Sequence, residues 1–149
     1  MTTRFAGSEI SQSELSTQPK AWLRHAATTA RALLGLTFAA SGVIGLVQTQ
    51  HVDGLPPKAA DLICAFASAG YFIPLLCVTE AVAGALLLSN RFVPLALTLL
   101  APVIVNIVAF HAFLAPQGIA IAVVIVALEI YLAFINRTSF RGLLSARSV

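Results

Sequence analysis

Long apolar segments separated by short polar stretches form the main pattern of this chain. Four of them run from about Ala26 to Val47, Tyr71 to Leu88, Phe92 to Leu114 and Gly118 to Ile135. Each is close to the length of ~20 residues that an α-helix needs to cross the hydrocarbon core of a bilayer. Because the backbone must satisfy its own hydrogen bonds there, each segment is predicted to be a membrane-spanning helix.

The connections between these segments differ in length. Only Ser89 to Arg91 separates the second from the third, and only Ala115 to Gln117 the third from the fourth. Links this short predict antiparallel neighbours. A longer stretch joins the first to the second, and Pro56-Pro57 within it can open a short helix near Lys58. The predicted fold class is therefore all-α, a membrane-spanning antiparallel four-helix bundle with a short interfacial helix between the first and second spans.

Composition supports a lipid environment. Hydrophobic residues make up 58% of the 149 residues and charged residues only 10%, with a mean hydropathy of +0.91. Soluble domains carry about 25% charged residues, so the lipid bilayer is predicted to cover most of this surface. The net charge is +3. No nucleic-acid partner is predicted, because the cations lie beside the apolar segments, where they set membrane orientation.

The positive charges predict that both termini are cytoplasmic. The cytoplasmic set comprises Lys20, Arg24, Arg31, Arg91, Arg137, Arg141 and Arg147. The opposite side holds one lysine, Lys58, balanced by Asp53 and Asp61. The predicted organisation is a disordered cytoplasmic tail over 1–24, a transmembrane domain over 25–137 and a cytoplasmic tail over 138–149.

Small residues recur along two of the predicted helices. Gly35, Ala39 and Gly42 share one face of the first helix, and Gly84 lies with Ala81 and Ala85 on the second. Such stripes let helix backbones approach closely in membranes. They predict helix packing, and they leave open a homo-oligomer paired through the first helix.

Ionisable and amide side chains inside the apolar segments are the candidate functional residues, because such groups are costly in hydrocarbon. Counting from the helix ends predicts one buried polar layer, roughly 7–12 Å from the cytoplasmic side. Two acids and one arginine leave excess negative charge, so at least one acid is predicted to keep a proton or the two to share one. Arg31, Glu80 and Glu129 fall at this depth. Asn106 lies in the outer half of the third helix and is counted with this buried polar layer because it is predicted to point inward and bond it, with His111 as a secondary candidate near the outer boundary.

Motifs for independent chemistry are missing from the sequence. There is no nucleophile triad, no phosphate-binding loop and no metal-ligand spacing, and Cys64 and Cys77 form no CxxC. Catalytic residues and a metal site are therefore not predicted. No cofactor is predicted from a motif, and the chain is not expected to be a self-sufficient enzyme.

Three stretches carry a family resemblance. They are RALLGLTFAASG (31–42), GYFIPLLCVTEAVAGALLLSNRFVPLALTLLAPVIVNIVAFH (70–111) and RTSFRGLL (137–144). Together they resemble the DoxX family of small four-helix bacterial integral membrane proteins. The resemblance implies the bacterial cytoplasmic (inner) membrane, and it matches Arg31, Glu80 and Asn106 to recurring positions. One departure is Gly45, near which relatives carry a lysine.

The resemblance implies an accessory subunit or partner of a quinone- or thiol-linked redox system, with a membrane or soluble oxidoreductase as partner and a quinone as the cofactor to consider. Two alternatives follow from the residues. The buried acids with Arg31 also suit a small proton-coupled transporter. A purely structural or assembly protein would use the polar layer only to fix helix register.

Overall fold

The computed structural model describes residues 12–48 and 52–144. Every regular element in these ranges is helical, which confirms the all-α class there. The elements are α1 (Gln12–Val47), α2 (Pro57–Ser68), α3 (Phe72–Leu88), α4 (Val93–Phe113), a 3-10 turn (Pro116–Gly118), α5 (Ile119–Ile135) and α6 (Arg137–Leu144).

Three stretches of helix are long and apolar enough to cross a membrane, namely Arg24–Val47 within α1, all of α4, and Pro116–Ile135. Helix α3 is shorter and qualifies only together with α2, from which it is bent by 92°. The described chain therefore holds three candidate spans, or four if the bent pair is one span. This architecture is compatible with an integral membrane protein.

The ends of the chain differ from the sequence prediction. Helix α1 begins at Gln12, so residues 12–24 of the predicted disordered tail are helical, while residues 1–11 lie outside the described part. The Gln, Leu, Lys and Ala residues of the 12–24 segment are good helix formers, so the polar composition of this segment does not prevent a helix. The C-terminal tail is predicted only to be cytoplasmic, and the structure describes helix α6 (Arg137–Leu144) there, while residues 145–149 lie outside the description.

The long helices contact one another in a closed order. Helix α1 packs against α3 and α5, and α4 packs against the same two helices. The α1–α3 pair makes the most extensive contact. The largest fully buried side chains between the four helices are Phe38, Leu34, Leu87, Leu97, Leu100 and Leu132.

Glycines bring the backbones of α1 and α3 into contact. A Cβ on Gly84 would lie 2.7 Å from the carbonyl oxygen of Gly35, and one on Gly42 would lie 2.9 Å from the Cβ of Ala81. Real Cβ atoms do not approach this closely, so the interface has room only for hydrogen at both positions. The predicted small-residue packing is confirmed, except that Ala85 is exposed. Because α3 covers the stripe on α1, that stripe is not free to pair two copies of the chain.

Gly84→Ala is expected to destabilise the protein by about 1–3 kcal/mol, because the added methyl group forces α1 and α3 apart. Unfolding in detergent, followed by helicity during titration with sodium dodecyl sulfate, measures the change. Ala85→Val is the matched control, since it enlarges the next residue on the exposed face and should unfold like the wild type. Equal or greater resistance of Gly84→Ala would contradict this account of the interface.

Candidate functional site

Glu80 is the acid that the fold buries most completely, with 7% of its surface exposed. The hydroxyl of Ser41 on α1 donates a hydrogen bond of 2.8 Å to its Oε2 atom. This contact exists because Gly42, the residue after Ser41, lets α1 approach α3 so closely. The sequence pattern did not predict this partner, although the position of Ser41 within the small-residue stripe was a usable signal.

Arg31 has a different partner from the one predicted. Its guanidinium donates to the side-chain oxygen of Asn90 in the turn between α3 and α4, and its Nε atom is buried without a hydrogen-bond partner among the described residues. Ser41 stands ten positions further along α1 (31 to 41), which is ~15 Å along the helix axis. Arg31, in the middle of α1, is therefore held at the end of α3, away from Glu80.

Asn90 occupies this position through an unusual backbone conformation. Its φ angle is 55°, in the left-handed region that asparagine tolerates better than most residues. The backbone N–H groups of Asn90 and Arg91 donate to the carbonyls of Leu87 and Leu86, which closes the end of α3. The α3–α4 turn thus presents an amide oxygen to α1, and Arg31 ties the middle of α1 to this turn.

Glu129 stands apart from both of these contacts. It is half-buried on α5, and its Oε2 atom is buried with no hydrogen-bond partner within the described ranges. The side-chain contacts of the described residues join neither Glu80 nor Glu129 to Arg31. They therefore do not confirm the predicted single polar layer. Counting residues from helix ends gives a height in the membrane, but it cannot give helix rotation or tilt.

Asn106 is exposed rather than turned inward, which corrects the sequence prediction. It lines a groove of about 190 Å³ between α2, α3 and α4, together with His111. The remaining walls are apolar, and their residues are Leu62, Ile63, Phe66, Phe72, Ile73, Leu76, Ile107 and Phe110. Of the predicted candidate residues, Asn106 and His111 are thus the two that the fold places in one groove.

Aromatic stacking shapes one wall of this groove. The rings of Phe66 on α2 and Phe72 on α3 stack with centroids 4.2 Å apart. They span the sharp bend between the two helices and hold the apolar face of α2 over the end of α3. Without this bend α2 would not face α4, and the groove would have no outer wall.

His111 is oriented by the turn that follows α4. Its Nδ1 atom lies 3.0 Å from the carbonyl oxygen of Ala115, and its ring packs directly on Gly118. A carbonyl only accepts, so Nδ1 carries the hydrogen in this contact, and in the neutral ring Nε2 is then the acceptor. The groove therefore combines an amide that can donate with an imidazole nitrogen that can accept.

The described part of the chain contains neither a metal-ligand cluster nor a disulfide. No group of three or more His, Cys, Asp or Glu side chains there could hold a metal ion. Cys64 is exposed and Cys77 is buried, and both are free thiols. The chain matches no protein-family model, no curated protein and no solved structure.

Ser41→Ala is expected to destabilise the protein by about 1–3 kcal/mol, because it leaves the buried Glu80 oxygen without its donor. Detergent unfolding again provides the measurement. Thr37→Ala is the control on the same helix, since its exposed hydroxyl bonds only the Leu33 carbonyl of its own helix. The effect of Ser41→Ala should shrink in a Glu80→Leu background, where no acceptor remains. If Ser41→Ala destabilised the Glu80→Leu variant as much as the wild type, the hydrogen bond to Glu80 would not be the cause of the destabilisation.

Proposed function

We propose that this chain is an integral membrane protein in which α1, the α2–α3 pair, α4 and α5 form an antiparallel four-helix bundle. The closed order of helix contacts and the short α3–α4 and α4–α5 connections support this arrangement. The distribution of Lys and Arg supports cytoplasmic termini and an outward-facing α2. The resemblance to the DoxX family favours the bacterial inner membrane.

Within this bundle, the groove between α2, α3 and α4 is proposed to bind the head group of a membrane quinone. The main observation in support of quinone binding is that apolar, aromatic-rich walls are combined with Asn106 and His111 in one groove of about 190 Å³. Small-molecule sites typically have this character, with few polar groups fixing orientation in an apolar pocket. The groove lies among spans exposed to lipid, where a quinone dissolves.

The two polar side chains suit both redox forms of such a ligand. The amide of Asn106 can donate to a quinone carbonyl, and Nε2 of His111 can accept from a quinol hydroxyl. The rings of Phe66, Phe72 and Phe110 offer faces and edges for the planar head group. A bound quinone would supply electron and proton exchange with an oxidoreductase. The chain itself is proposed to act as an accessory subunit or partner that holds the quinone in place.

Glu129 supports a second candidate, a small proton-coupled carrier. An intramembrane acid with a buried, unpartnered oxygen in the described structure is the kind of group that relays protons. Glu80 supports neither quinone binding nor proton transport directly. The packing of α1 on α3 already accounts for its contact with Ser41. Loss of pH-driven flux in liposomes on Glu129→Gln would favour the carrier.

Asn106→Leu is expected to raise the dissociation constant for decylubiquinone by about 3–10-fold, the effect of one hydrogen bond. Binding is measured by fluorescence quenching or thermal stabilisation of the detergent-solubilised chain, with a menaquinone analogue of equal tail length in parallel. Thr98→Val is the matched control, since Thr98 is an exposed polar residue of α4 that bonds the Pro94 carbonyl. Wild-type affinity of Asn106→Leu for both quinones would refute the site.

Orientation can be tested with the native cysteines. Cys64 is exposed on α2, on the same helix face as Asp61 and Ser68, whereas Cys77 is buried on α3. A membrane-impermeant maleimide added to spheroplasts is therefore expected to label the wild type and not Cys64→Ser. Labelling that appears only after permeabilisation would place α2 in the cytoplasm and reverse the proposed topology.

A further inference from the structure

Two further grooves lie along the boundary between α1 and α5, on other helices than the proposed quinone site. The first has a volume of about 480 Å³ and contains the polar or aromatic side chains of Trp22, His25, Thr29 and Tyr131. The second has a volume of about 370 Å³, and its walls are apolar except for Thr37. Leu33 and Leu128 line both grooves, so the two adjoin one another, and together they are called the α1–α5 groove.

The length of this α1–α5 groove corresponds to one leaflet of a bilayer. Along α1 it extends over fifteen positions (Trp22 to Thr37), which is ~22 Å of helix. Half of a bilayer that is ~40–45 Å thick including head groups has the same thickness. The polar end lies near the start of the α1 span and the apolar end reaches inward, which is the polarity of a lipid molecule.

Two arginines lie close in sequence to residues that line the polar end. Arg24 is exposed beside His25 on α1, and Arg137 follows the last turn of α5, with its guanidinium 4.7 Å from the ring centroid of Phe134. No acidic side chain lines either groove among the described residues. Trp22 and Tyr131 belong to the residue types that anchor at membrane interfaces. This end is therefore complementary to an anionic head group.

We propose that the α1–α5 groove binds one anionic phospholipid. Its phosphate would lie against His25 and Thr29, with Arg24 and Arg137 supplying positive charge. One acyl chain would follow the apolar groove past Leu33 toward Val124. The lipid would fill the space that the limited contact between α1 and α5 leaves open, and this role does not depend on the proposed quinone site.

Trp22 is the single tryptophan of the chain and lines the polar end, so its fluorescence reports on this site. The full chain is reconstituted in phosphatidylcholine nanodiscs that contain a small fraction of dibrominated phosphatidylglycerol or, separately, dibrominated phosphatidylcholine. Bromine quenches a tryptophan that it contacts. Phosphatidylglycerol is expected to quench at least about fivefold more efficiently at equal mole fraction, and quenching should saturate near one lipid per chain.

Three variants test the position of the lipid. Arg24→Gln combined with His25→Gln is expected to reduce quenching by phosphatidylglycerol to the phosphatidylcholine level, while helicity is unchanged. Arg91→Gln is the matched control, because this exposed cation lies at the same end of the molecule in the α3–α4 turn, outside the groove. Val124→Phe is expected to lower the preference by obstructing the acyl-chain path.

Equal quenching of the wild type by the two lipids would overturn the proposal. So would a loss of preference in Arg91→Gln as large as in the double variant, since that would reflect general surface charge. An unchanged preference in Val124→Phe would also overturn it, because the head group alone would then be recognised.

Discussion

The contact between the backbones of α1 and α3 is the constraint on which the rest of the structure depends. In hydrocarbon, apolar side chains gain nothing by leaving lipid, so helices associate through close packing and hydrogen bonds. Gly42 and Gly84 remove the side chains that would keep these backbones apart. The approach fixes the register of the pair, places Ser41 beside Glu80, and brings Arg31 to the turn at Asn90. Both polar contacts are therefore consequences of the glycine packing.

The ionisable groups of the apolar segments lie in three different environments. Glu80 receives a hydroxyl donor in the tightest interface, and Arg31 reaches a turn amide at the helix end. Glu129 has a buried oxygen that no described side chain or backbone group satisfies. A buried polar group without a partner carries a free-energy cost. Glu129 is thus the acid whose chemistry the packing does not account for.

Two grooves with different chemistry lie on different helices. The groove between α2, α3 and α4 combines aromatic walls with an amide and an imidazole, which suits a planar, redox-active ring. The groove between α1 and α5 is longer, apolar at one end and lined by His25, Thr29 and aromatic side chains at the other, with Arg24 and Arg137 close by in sequence, which suits a lipid with a charged head group.

Much of the fold could be predicted from the sequence, because helix formation in lipid depends on the length and polarity of a segment. Apolar run length located the helical segments now seen as α1, α3, α4 and α5, and Pro56-Pro57 located the start of α2. The small-residue stripe on α1 predicted close packing, and α3 proved to be its partner. Glu80, Arg31 and Glu129 were also recognisable as unusual groups from their positions inside apolar segments.

The sequence by itself determined which segments are helical and which residues hydrocarbon would not tolerate unpaired. Only the tertiary structure decided their partners, because a hydrogen bond depends on the rotation and tilt of each helix as well as on its height. Ten residues along α1 separate Arg31 from the level of Glu80, and the bend before α3 swings α2 over Asn106 and His111. Neither the register nor the bend follows from a residue count, since the register depends on backbone contact at Gly42 and Gly84 and the bend is spanned by the stacked rings of Phe66 and Phe72.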